Sequence, residues 1–125
     1  YARMAMAGAL LVTTGAARPD AAPVLKGTYS LISATRTIVE TGKVEDSFGR
    51  EPVGTIMYDG AGRMMVLMLR SDRPKRGFRD MTDADRVQLF ETMAAYSGTY
   101  RFDGKTVWHH IDASWNGVLT GTTQV

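Results

Sequence analysis

His109 and His110 are the only two histidines in the chain, which has no cysteine. Imidazole titrates near neutral pH, so either ring could serve as a general acid or base. Neighbouring residues on a β-strand point to opposite faces, so a regular strand cannot aim both rings at one metal. A zinc site needs a third ligand of the right kind. With no further His and no Cys, the sequence argues against a metal. The sharpest catalytic option is His109 with Tyr58 or Tyr100 orienting it or sharing its proton. That chemistry suits an isomerase, cyclase or dehydratase acting on an apolar substrate without a cofactor. The plain alternative is a hydrogen-bonded core histidine beside a tyrosine.

Other groupings carry less. Ser97 lacks the Gly-x-Ser-x-Gly elbow and has no evident base nearby. Arg70, Arg73, Lys75, Arg76 and Arg79 cluster in one loop with Asp72 and Asp80. They could steer an anion, but a solvated loop explains them better. Fifteen Lys and Arg against 13 Asp and Glu leave a net charge of +2, too little to argue for nucleic acid. Asp83, Asp85 and Glu91 resemble paired carboxylates, yet the first two suit the positive end of a helix dipole.

These residues must be positioned by a mainly β chain. Val24–Glu40 is rich in Thr, Ile, Val and Tyr and is the first strand expected. Val44–Glu51 is polar and is expected as a loop. Pro52–Tyr58 and Arg63–Leu69 are strands joined through Asp59-Gly60-Ala61-Gly62, a hairpin signal. Thr82 is a good N-cap for a helix over 82–95, whose apolar stripe would be Val87, Phe90, Met93 and Ala94. That helix is expected to lid one end of the fold, with Phe90 and Met93 buried. Gly98–Phe102 and Lys105–Asp112 follow as strands around a two-residue Asp103-Gly104 turn, and Val118–Val125 is a sixth. Short strands at regular spacing with one helix suggest a barrel or sandwich. Closed barrels avoid exposed edges, so closing strands are expected to follow Val125.

The chain has 125 residues, 44% of them hydrophobic and 22% charged, which suits one globular domain. No apolar run is long enough to remain in a bilayer, so no membrane span is expected. Met4–Val12 is a short uncharged apolar run after Arg3, followed by small residues through Ala17. A secretory signal peptide over 1–17 is expected, giving a secreted or periplasmic protein. Residues 18–23, with Pro19 and Pro23, are a linker, and 24–125 is the domain.

Several segments, in this order, resemble the bacterial and fungal lipocalin-like domain family, a group of calycin-type barrels. They are Gly27-Thr28-Tyr29-Ser30-Leu31, then Pro52-Val53-Gly54 leading to Tyr58, Asp59-Gly60 and Gly62-Arg63-Met64. Arg73-Pro74, Tyr96-Ser97-Gly98-Thr99-Tyr100, Val107-Trp108-His109-His110, Trp115, Gly117 and Gln124 complete the match, which covers roughly residues 25–125. Tyr29 stands where Trp is commoner in the family, and the family's final strands are absent. The resemblance implies an antiparallel lipocalin-like β-barrel and says more of fold than of function.

Strand alternation then sets the interior. Tyr100 and Phe102 oppose polar Thr99 and Arg101. Val107, His109 and Ile111 oppose Trp108, His110 and Asp112, which puts His109 inside and His110 outside. The resemblance selects the Met64, Val66, Met68 face of the third strand over Met65, Leu67, Leu69. The expected ligand-binding lining is Leu31, Ile56, Tyr58, Met64, Val66, Met68, Tyr100, Phe102, Val107, His109 and Ile111. Apolar walls with a few polar tips suit a small hydrophobic ligand. Binding is therefore the first reading, ahead of the cofactor-free enzyme and of a structural or interaction domain with a filled core. A cavity with dispersed polar tips would mark a binder. His109 bonded to a tyrosine at the cavity wall, with a perturbed pKa, would mark an enzyme. No motif calls for a cofactor, and the sequence assigns neither ligand identity nor oligomeric state.

Overall fold

The computed structural model describes residues 22–125, so the expected signal peptide and the linker up to residue 21 lie outside the described residues. The elements run β1 (Lys26–Ser30), β2 (Thr35–Thr37), β3 (Val44–Asp46), β4 (Val53–Asp59), β5 (Arg63–Leu69), α1 (Asp83–Glu91), β6 (Met93–Phe102), β7 (Val107–Ser114), a 3₁₀ turn (Gly117–Leu119) and β8 (Thr123–Gln124). Six strands form one antiparallel sheet in the order β1-β4-β5-β6-β7-β8, while β2 and β3 pair as a separate ribbon. Among the described residues no ladder joins β1 to β8, so the barrel does not close. No helix among them is long and apolar enough to cross a membrane.

Period-two patterning decides which side of the sheet is buried. On β5, Met64, Val66 and Met68 are buried while Met65 and Leu67 are exposed. Tyr58 from β4, Ala94 and Tyr96 from β6, and His109 and Ile111 from β7 join them inside, with Leu25 from ahead of β1 and Ala34 and Phe48 from the connections. The other side leaves Met57 and Met65 directly opposite each other and in solvent.

Two glycines permit close backbone packing on the inner side. A Cβ on Gly54 would lie 2.5 Å from the Leu67 carbonyl oxygen, and one on Gly98 would lie 1.9 Å from that of His110. Gly98 also sits at a β-bulge: Ser97 pairs with Ala113, but Gly98 pairs with Ile111. The extra residue, Asp112, shifts the parity of β7. That shift lets Ser114 face Tyr96 while His109 faces Tyr100.

Several boundaries differ from the sequence reading. The first strand is split, because β1 ends at Ser30 and β2 starts only at Thr35. The expected loop at 44–51 contains β3, stitched to β2 by an Arg36–Glu45 ion pair at 2.5 Å. The two-residue turn falls at Gly104-Lys105, one residue later than expected: Asp103 N–H donates to the Thr106 carbonyl, and Asp103 Oδ1 accepts from the Lys105 and Thr106 amides. The sixth strand is a 3₁₀ turn followed by the short β8.

The helix is shorter than expected and buries no residue. Its start follows the sequence: Asp85 N–H donates to Thr82 Oγ1 and Thr82 N–H donates to Asp85, a capping box. Its end does not, since Met93–Ala95 pair with Leu67–Leu69 instead. Ladder hydrogen bonds and burial of Ala94 outweigh the high helix propensity of Met and Ala, which is worth only tenths of a kcal/mol per residue. Val87 and Phe90 stay about half exposed, so the stripe is not a lid contact.

Gly98→Ala should lower unfolding stability by about 1–3 kcal/mol or more, because backbone must move to admit the methyl. Gly117→Ala, with open space around it, should stay within about 0.5 kcal/mol of wild type. Urea denaturation of both variants checks this.

Candidate functional site

The inner face of the sheet carries one polar cluster. His109 is 2% exposed. Its Nε2 lies 2.8 Å from the Tyr58 hydroxyl and its Nδ1 lies 3.1 Å from the Tyr96 hydroxyl. The three residues come from β7, β4 and β6. In a flat sheet β4 and β7 would stand about 14 Å apart, at roughly 4.8 Å per strand. Contact between their side chains therefore requires the sheet to curl strongly around its inner face. Tyr100 reinforces the curl, donating its hydroxyl to the Leu25 carbonyl ahead of β1 and packing edge-on against Tyr58 at 4.7 Å.

Burial keeps the cluster neutral. Desolvation lowers the His109 pKa from 6.5 to about 4. It pushes Tyr96 up to about 12. Tyr58 is raised further, chiefly by burial and then by the neighbouring tyrosines Tyr96, Tyr100 and Tyr29.

One wall of the cluster opens on a cleft of about 580 Å³. Phe48, Met93, Ala94, Val107, Trp115 and Leu119 give it apolar walls, and Tyr96, His109 and Ser47 give it polar points. Ser47 Oγ is buried and has no hydrogen-bond partner among the described residues. Arg36, Glu91, Lys105, Thr106, Gln124 and Val125 complete the lining. Phe90 of α1 touches the cleft wall indirectly, through a Trp115 Nε1–H bond to its carbonyl at 3.2 Å. A second, smaller and more open hollow lies on the outer face beside Trp108 and His110. There Arg101 already covers the indole at 3.9 Å.

All eleven residues expected to line a ligand site lie in the core or pack against it. Only Val107 and His109 line the cleft. Leu31, Ile56, Tyr58, Met64, Val66, Met68, Tyr100, Phe102 and Ile111 pack around it or behind it. Of the catalytic candidates, His109 and Tyr58 meet, whereas Tyr100 is engaged elsewhere. The missing member is Tyr96, which falls between the helix expected over 82–95 and the strand expected from Gly98, and in the structure belongs to β6. Its even-numbered spacing from Tyr100 was the available signal, since both share one strand face. Among the described residues no group of three His, Asp or Glu side chains is placed to hold a metal. The basic loop does not reach the cleft: Arg70 pairs with Asp72, Arg76 with Asp85, and Arg73 donates to the Leu89 carbonyl.

The His109 shift sets a pH dependence. The folded state resists protonation down to about pH 4, while the unfolded chain takes up the proton near 6.5. Between those values the unfolded state binds more protons, so stability rises with pH and is complete above the window. Wild type should lose up to about 3 kcal/mol on going from pH 7 to pH 4 through this group. The stability difference between wild type and His109→Gln, read from urea melts across the window, should narrow as pH falls.

Comparison with models of known protein families matches the chain to a lipocalin-like domain over residues 26–125. No curated protein and no solved structure matches the chain.

Proposed function

The chain belongs to the lipocalin-like domain family, and on that premise we propose that it binds a small, largely hydrophobic molecule in the cleft on the inner side of the sheet. The observation that carries this is the cleft itself: about 580 Å³, within the range of small-molecule sites, and apolar on most of its walls. A filled core would leave no such space. Met93 at the wall is an adaptable contact, since its thioether side chain accommodates varied shapes. In this reading the signal-peptide pattern over 1–17 takes the protein out of the cytoplasm.

One observation favours a second reading, a cofactor-free isomerase, cyclase or dehydratase. His109 is bonded to a tyrosine at the cleft wall and its pKa is perturbed. The direction of the shift supports binding over catalysis. An imidazole with a pKa of about 4 is a weak base at neutral pH, and both its nitrogens already have partners.

N-phenyl-1-naphthylamine, a neutral apolar fluorophore, should bind the wild-type protein with enhanced emission. Val107→Phe narrows the cleft and should weaken that binding at least about tenfold. Met65→Ala, on the opposite face, should leave it unchanged. No binding to wild type, or equal binding to Val107→Phe, would refute the proposal.

A further inference from the structure

We propose that the cleft selects an uncharged ligand bearing a carbonyl-type oxygen, and that the Tyr96 hydroxyl donates the hydrogen bond that holds it. The inference rests on reading the cleft as a binding site, and it comes from counting hydrogens. Tyr58, Tyr96 and a neutral His109 carry one polar hydrogen each, three in all. The two contacts among them, Tyr58 to Nε2 and Nδ1 to Tyr96, use one hydrogen apiece. The third must remain on one of the two tyrosines.

The surroundings decide which. Tyr58 is 6% exposed, is walled by the rings of Tyr29 and Tyr100, and does not line the cleft. Its hydroxyl has no other hydrogen-bond partner among the described residues. A hydrogen left there would be buried without an acceptor, which is costly. Tyr96 lines the cleft, where a ligand oxygen can accept. The chain of bonds therefore runs one way: Tyr58 O–H donates to Nε2, Nδ1–H donates to Tyr96, and Tyr96 O–H donates into the cleft. His109 and Tyr58 are positioning residues, fixing the tautomer that turns the Tyr96 hydrogen outward.

The rest of the cleft sets the other half of the ligand. Val107, Trp115 and Leu119 offer it an apolar bed, and Ser47 Oγ is a second buried hydroxyl awaiting a partner. The cluster contains no cation; of the two that line the cleft, Arg36 is paired with Glu45 and Lys105 is exposed in the β6–β7 turn, where water screens it, so a carboxylate held against Tyr96 would give up its hydration for one neutral donor. A ketone, aldehyde or ester gives up far less.

Three naphthalenes of one shape test this: 2-acetylnaphthalene, 2-isopropenylnaphthalene, in which a methylene replaces the oxygen, and 2-naphthoate. Calorimetric titration of wild type should rank the ketone about tenfold tighter than the alkene, with the naphthoate weakest. The carbonyl stretch of the bound ketone should move to lower frequency than in hydrocarbon solvent. Tyr96→Phe should abolish both the preference and the frequency shift while alkene affinity stays. Tyr58→Phe, remote from the cleft wall, should lower the ketone preference by freeing the other tautomer, and it keeps the test open should Tyr96→Phe not fold. If neither neutral compound binds wild type, the binding reading itself falls. If both bind equally with no frequency shift, the binding reading stands and this inference is overturned. Tightest binding of the naphthoate overturns it in favour of an acidic ligand.

Discussion

A buried imidazole needs a partner at each nitrogen, and here one of the two, Tyr58, stands on a strand that a flat sheet would hold far from His109. The Tyr58–His109–Tyr96 chain ties β4 to β7 and β7 to β6 across the inner face. Leaving any member unpaired would strand a polar atom in a low-dielectric interior. The curl of the sheet and the satisfaction of these groups are thus one constraint. The curl makes the concave surface, and the concave surface holds the cleft.

Much of this was legible in the chain. Met64-Met65-Val66-Leu67-Met68 is apolar on both faces, so composition alone could not orient β5, and the family resemblance supplied the side that is buried. His109 against His110 followed from parity, because Val107 and Ile111 accompany the first and Trp108 and Asp112 the second. The capping box at Thr82 was readable because its chemistry is local.

What was not legible depends on partners distant in sequence. Met93-Ala94-Ala95 suits a helix when read alone, and only the waiting edge of β5 turns it into strand. Tyr96 was lost with that boundary, and with it half of the histidine's environment. The bulge at Gly98 was equally hidden. It shifts β7 by one residue after Ile111, so parity counted from His109 fails at Ser114. The ribbon of β2 and β3 is polar and held partly by the Arg36–Glu45 pair, which hydrophobic periodicity does not detect.

The two faces of the sheet also differ in their exposure to oxidants. Met57 and Met65 face each other on the outer side, 51% and 59% exposed, while Met64 and Met68 within are 4% and 1% exposed. Conversion of thioether to sulfoxide depends on access. Chemical ageing should therefore collect on the outer pair, roughening a solvent-facing surface and sparing the sulfur atoms packed behind the cleft. The shell would weather before the interior changed.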